Sequence, residues 1–108
     1  GRAKRFAKIG GEMISLAAVA EVLSEAWPEE KHAVVMIKGG PRGETLSLVT
    51  SRPDLKRDEL RQTLSDLGVA EIAIPKKVLF MEDIPLLSTG KIDYVSLEDI
   101  LKDTDADS

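Results

Sequence analysis

Turn-forming residues divide this chain into pieces each about the length of one helix or one strand. The dividers are Gly10-Gly11, Pro28, the run GGPRG at 39–43, Gly68, Pro75, and Pro85 with Gly90. A chain cut this finely must build its core from several short elements, and the period of each piece says which kind.

Residues 2–9, RAKRFAKI, set Phe6 and Ile9 among four cations, and Gly10-Gly11 can take positive φ before Met13 and Ile14 resume the apolar pattern. This predicts a β-hairpin or a tight loop. Leu16, Val19, Ala20, Leu23 and Trp27 recur at helical spacing, with Ser15 as the cap and Pro28 as the stop. The run HAVVMIK at 32–38 is apolar and β-branched, and TLSLVT at 45–50 alternates so that Leu46 and Leu48 share a face. Joined by GGPRG, the two form an antiparallel pair. Residues 54–67 place Leu60, Leu64 and Leu67 on one helical face, with Asp54 as candidate cap and Gly68 as stop. After Pro75, KKVLFME suits a third strand, and IPLLSTGKID reads as a loop. Ser96 with Asp99 forms a capping box for a last short helix, and the tail DTDADS is expected to fray.

The expected order is hairpin, helix, two strands, helix, strand, loop, helix. This is an α+β fold, a small domain with an N-terminal β-hairpin, a three-stranded sheet and about three packed helices. At 108 residues the chain fits one domain, 1–108, and a domain of that size buries roughly 60 to 65% of its unfolded surface. With no cysteine, the core must hold without disulfides, and neither a thiolate nucleophile nor a Cys-ligated zinc is available. A reducing cytoplasm is compatible with that. The net charge of −4 argues against a nucleic-acid partner. No apolar run approaches the roughly 18 to 20 residues of a bilayer span, so no membrane contact is expected of this segment. The chain has no initiator Met and opens within a basic stretch, which reads as a piece of something longer.

Few residues carry chemistry on sequence grounds alone. STGK at 88–91 is not a Walker motif, because Pro85 stands where that motif needs Gly and Ile92 where it needs Ser or Thr. By itself Lys91 reads as a solvated loop lysine. The single histidine, His32, has no second His or Cys to complete a metal site and reads as a surface or edge residue. Glu82 with Asp83, and Asp58 with Glu59, read as solubilising charges. Trp27 reads as core. The cations Arg2, Lys4, Arg5 and Lys8 either steer an acidic partner or a nucleotide, or form a solvated strand face.

The opening GRAKRFAKIGGEMISLAAVAEVL and the closing MEDIPLLSTGKIDYVSL resemble the two signature segments of the C-terminal domain of adenylate-forming enzymes. That family includes acyl-CoA synthetases, luciferases and the adenylation domains of peptide synthetases. In its details, GR-x-KRFAKI-x-GEM and PLL-x-x-GK-x-D, the pattern resembles the bacterial bifunctional 2-acylglycerophosphoethanolamine acyltransferase and acyl-ACP synthetase subfamily.

The resemblance implies a two-step reaction. A carboxylate attacks the ATP α-phosphate to give an acyl-adenylate, and a phosphopantetheine thiol then takes the acyl group. The domain rotates between the steps. Lys91 falls at the adenylation lysine, Gly11 at the loop glycine of the second step, Lys4 at the hinge and Arg2 at a nucleotide ribose contact. Lys8, Gly10 and Glu12 belong to the acceptor loop around Gly11. Met13 stands where several CoA-using relatives carry an arginine, and Asp93 where others carry Arg, which weakens a CoA assignment and is compatible with a carrier protein. ATP and magnesium are implied for the parent enzyme, with neither held by this domain alone. The implied partners are an N-terminal adenylation domain, a fatty acid, and acyl carrier protein or CoA. The subfamily implies a parent attached to the bacterial inner membrane, with this domain in the cytoplasm. Two alternatives stay open: a carrier-protein docking module and a structural module.

Overall fold

The computed structural model describes residues 5–38 and 44–106. Arg2 and Lys4, the nucleotide and hinge candidates, lie outside them. The described elements are β1 (Phe6–Ile9), β2 (Glu12–Ser15), α1 (Leu16–Ala26), β3 (His32–Lys38), β4 (Glu44–Thr50), α2 (Arg57–Asp66), β5 (Lys77–Phe80) and α3 (Tyr94–Ala106), with a 3-10 turn at Glu71–Ala73 between α2 and β5. The α+β order expected from the sequence is the order observed.

β1 and β2 form a two-stranded antiparallel hairpin, and β3, β4 and β5 a separate sheet in that order. β3 pairs antiparallel with β4 in a register that sets Val34 opposite Leu48 and Ala33 opposite Val49. β5 runs parallel to β4, with Leu48 opposite Val78 and Val49 opposite Leu79. A parallel neighbour needs a crossover, which α2 and the 3-10 turn supply.

Alternation along these strands gives the sheet two apolar faces. On one face Val34, Leu46 and Leu48 pack with Leu16, Val19 and Leu23 of α1, Leu60 and Leu64 of α2, and Ala7 and Ile14 of the hairpin. On the other, Ala33, Val35 and Val49 pack with Ile84 and with Leu97 of α3. The domain is therefore layered, with the sheet between α1 and α2 on one side and α3 on the other.

Four sequence expectations need correction. Asp54 does not cap α2; the cap position is Lys56, which makes no side-chain cap bond, while Asp54 accepts from Arg52 Nε at 3.4 Å. Leu67 leaves the helical face of Leu60 and Leu64 and is exposed, because the chain turns there: Val69 N–H donates to the Leu64 carbonyl at 2.9 Å and Gly68 N–H to that of Ser65 at 3.1 Å. The box at Ser96 and Asp99 is not the start of α3. Asp93 caps it, accepting from Ser96 N–H at 3.1 Å and from the Ser96 hydroxyl at 2.8 Å. Nor is this last helix short: α3 runs from Tyr94 through Ala106.

His32 is the fifth correction. It is 1% exposed, buried at the start of β3. Its Nε2 lies 2.9 Å from the Trp27 carbonyl, which can only accept, so Nε2 carries the proton. Nδ1, 3.0 Å from Thr50 Oγ1, is then the acceptor, and the Thr50 hydroxyl donates to it while accepting from Arg52 N–H at 3.1 Å. Every partner suits the neutral ring. Burial pushes the imidazole pKa below its usual 6.5, outweighing the Trp27 carbonyl that favours the cation. Trp27, expected in the core, packs half-buried against it just past the end of α1, with its ring 5.7 Å from that of His32 and the Arg52 guanidinium 5.1 Å from its centroid. Glu59 is not merely solubilising: it accepts from Arg52 at 2.8 Å.

Two stability predictions follow. The unfolded His32 binds more protons than the folded one, so its contribution is complete above pH 6.5 and is lost as pH falls through the lower folded value. The thermal midpoint should fall from about pH 7 to about pH 5.5, and His32→Gln should flatten that slope. Ser47 has a fully buried hydroxyl with no hydrogen-bond partner among the described residues. Ser47→Ala should stabilise the domain by roughly 1 kcal/mol in urea unfolding, by removing that uncompensated burial.

Candidate functional site

The hairpin register sets Ile9 opposite Glu12 and leaves Gly10 and Gly11 as a two-residue turn. Their φ values are +57° and +86°. A two-residue connection with both φ positive matches the twist of its strands, and glycine adopts it without the strain of a Cβ. The root of the hairpin is fixed by Ala7 opposite Ile14, both buried in the first core. Its outer face carries Phe6 and Lys8, exposed to solvent.

The two glycines differ in surroundings. A Cβ on Gly10 would meet Ile72 Cδ1 at 3.1 Å, whereas one on Gly11 would meet nothing within 4 Å. Gly10 therefore seats the turn against the domain, and Gly11 presents bare backbone outward. Glu12 and Met13 follow it, both exposed. Met13, at the position where CoA-using relatives were expected to carry arginine, opens onto a shallow apolar groove of about 230 Å³ lined also by Ile14, Ala18, Val19 and Val22.

Lys91 sits in a loop closed at its base by backbone bonds. Asp93 N–H donates to the Pro85 carbonyl at 2.9 Å, Leu86 bridges Ile92, and Leu87 N–H donates to the Lys91 carbonyl at 2.6 Å. Gly90, at φ +91°, lets the chain reverse so that its N–H reaches the Leu87 carbonyl at 2.8 Å. Ile84 and Ile92 root the loop in the second core. Ser88, Thr89, Gly90 and Lys91 are exposed, and Lys91 makes no ion pair among the described residues. Asp93, where some relatives were expected to carry arginine, has a structural use here as the cap of α3. The Ser96 N–H and hydroxyl hold its carboxyl below the usual carboxylate pKa.

The Gly11 turn and the Lys91 loop are thus rooted on opposite faces of the three-stranded sheet and are not brought together within the domain. Neither lies near a metal-binding arrangement: among the described residues no three His, Cys, Asp or Glu side chains converge. No helix among them is long and apolar enough to cross a membrane.

Arg5 was missed by sequence reasoning, which grouped it with cations that either steer a partner or form a solvated strand face. Its guanidinium donates to the Val34 carbonyl at 2.9 Å, pairs with Glu98 of α3 and lies over the Tyr94 ring at 3.9 Å. Its own carbonyl accepts from Leu16 N–H at 2.9 Å. The available signal was parity, since Arg5 shares its strand face with the inward-facing Ala7 and Ile9. Burial pushes the Tyr94 hydroxyl pKa up, partly offset by the cation above it.

The fold is similar to a segment of larger synthetases. No known family profile matches the chain. The structure superimposes on part of the apo structure of MbtA from Mycobacterium smegmatis with a TM-score of 0.75 and 29% identity, covering 90% of this chain and 19% of that one. By sequence the chain is 36% identical over 104 residues to pseudomonine synthase PmsE of Pseudomonas entomophila, covering 94% of this chain and 17% of PmsE. It is 31% identical over 106 residues to a salicylyl-CoA synthase / salicylate adenylyltransferase of Streptomyces, covering 94% of this chain and 19% of the relative. The chain thus spans less than a fifth of the length of these relatives.

The two glycines give a direct check. Gly11→Leu should cost about 1 to 2 kcal/mol, the backbone strain of a positive φ alone. Gly10→Leu should cost more, because it adds the collision with Ile72. Chemical denaturation of the two variants measures the difference.

Proposed function

We propose that this chain is the C-terminal mobile domain of an adenylate-forming synthetase and supplies a different loop to each of two half-reactions. The supporting observation is the placement of Gly11 and Lys91. Gly11 lies in the hairpin turn and Lys91 just past the turn of a loop closed at its base; both are exposed, and the two are rooted on opposite faces of one sheet. Loops so placed on one rigid body cannot enter the same cleft in a single orientation, so serving one active site requires rotation of the body.

In the first orientation Lys91 reaches the reacting groups. The acid's carboxylate oxygen attacks the α-phosphorus of ATP, the bond to the bridging oxygen breaks, and pyrophosphate leaves. A compact ammonium suits negative charge building on phosphoryl oxygens. The part of Lys91 in this step is electrostatic. In the second orientation the Gly11 backbone lines the path of the acceptor thiol, which attacks the acyl carbonyl and expels AMP. Open space around Gly11 within the domain leaves room for a ligand arm to pass against backbone. Lys8, Gly10 and Glu12 shape that turn. Lys4 serves as the hinge and Arg2 as the ribose contact. Magnesium and ATP belong to the parent enzyme on this reading, and no step here runs through the metal.

The partners on this reading are the N-terminal adenylation domain of the parent, ATP, an organic acid and a phosphopantetheine thiol. GRAKRFAKIGGEM and the exposed Met13 favour acyl carrier protein over CoA and a fatty acid as the acyl donor, in an acyl-ACP synthetase. An aryl acid is the second reading, favoured by the likeness to a salicylate adenylyltransferase.

The test is a pair of variants in the full-length synthetase, with each half-reaction assayed separately. Lys91→Ala should slow adenylate formation by at least about a hundredfold, in line with the loss of one charge-stabilising group, and spare thioester formation from supplied acyl-adenylate. Gly11→Leu should do the reverse. If both variants run both steps at the parental rate, the domain is a docking or structural module. Fatty acids compared with salicylate as substrate decide the acid.

A further inference from the structure

We propose that Arg5 is a positioning residue that couples the hinge to the Lys91 loop, so that rotation at the hinge carries the Lys91 ammonium to a defined place. The inference rests on the reading above, in which Lys4 is the hinge and Lys91 the adenylation lysine.

Arg5 directly follows Lys4, and its bonds reach three elements. Its carbonyl holds the Leu16 N–H at the start of α1, its guanidinium holds the Val34 carbonyl in β3, and the same group pairs with Glu98 and stacks on Tyr94 in α3. Tyr94 opens α3 immediately after Asp93, whose N–H closes the Lys91 loop on Pro85 and whose carboxylate caps the helix. The path from hinge to Lys91 therefore runs through one side chain and a short, hydrogen-bonded stretch of backbone.

The chemistry of the group suits the task. A guanidinium offers a planar face for the ring and several donors in fixed directions, so the three contacts define its position together. Its side chain is 21% exposed, which shields the contacts in part from water. The hairpin depends less on it. Its strand pairing and the Leu16 to Arg5 bond are backbone contacts, and Ala7 and Ile14 anchor it in the core. Removing the side chain should loosen the Lys91 loop relative to the hinge and leave the Gly11 turn in place.

The experiment uses the full-length synthetase with Arg5→Ala, Arg5→Lys, Glu98→Gln and, as reference, Lys91→Ala. Both half-reactions are followed below each variant's melting temperature. The ratio of the two rates is independent of the fraction folded, so a simple loss of stability does not move it. Arg5→Ala should lower adenylate formation by roughly ten- to a hundredfold, the scale expected when a catalytic group is misplaced by about an ångström, with the thioester step little changed. Arg5→Lys, which keeps the charge for Glu98 but not the planar fork, should shift the ratio in the same direction by less. It decides the matter should Arg5→Ala not fold. Glu98→Gln should shift it least, and should add little on top of Arg5→Ala. Parallel falls in both steps, or an unchanged ratio, would overturn the coupling. If Lys91→Ala itself leaves adenylation intact, the proposed function fails. If Lys91→Ala abolishes adenylation while both Arg5 variants keep the parental ratio, only the coupling fails.

Discussion

The pairing of β3 with β4, buried on both faces, is the constraint on which the rest of the domain depends. One face of that pair receives α1, α2 and the hairpin, and the other receives α3 and the loop before it. A slip of β3 by one residue against β4 would turn that strand over, sending Val34 toward α3 and Ala33 toward α1 while Leu48 and Val49 keep their faces. The footing of both candidate loops depends on that order, since Ile72 and Ile92, which seat them, pack in opposite cores. The register and the spatial separation of Gly11 from Lys91 are thus one fact seen at two scales.

Much of the architecture was legible because local chemistry and the final packing agree. Gly10-Gly11 demands the turn it makes, Ser15 caps α1 by accepting from Ala18 N–H at 3.1 Å, and Gly68 ends α2. What the sequence hid was set by partners distant along the chain. His32 looked peripheral because its burial depends on Thr50 and on the backbone at Trp27. The cap of α3 was misplaced because Ser96 and Asp99 mimic a start that Asp93 had already made one turn earlier. Leu67 continues the leucine spacing on paper, yet the chain leaves the helix at that residue.

The candidate site divides along the same line. Lys91 and Gly11 stand out only through their resemblance to signature segments, since a solvated loop lysine and a turn glycine carry no local mark of function. Their settings became visible only with the folded loops: a lysine with no described ion pair and a glycine with open space where Ile72 crowds its neighbour. Arg5 was hidden for the opposite reason. Its charge suggested solvent, and only the parity of β1 hinted that it points inward.

The bond from Arg5 to the Val34 carbonyl also lies at an edge of the sheet. β3 is an outer strand of its sheet, and HAVVMIK is an apolar, β-branched run of the kind that recruits further strands when its edge is open. A cation bonded to a carbonyl of that strand, with its partner Glu98 alongside, places charge where an incoming chain would have to pair. The residue that ties the domain together from within thus also sets a charged pair at the open edge of its sheet.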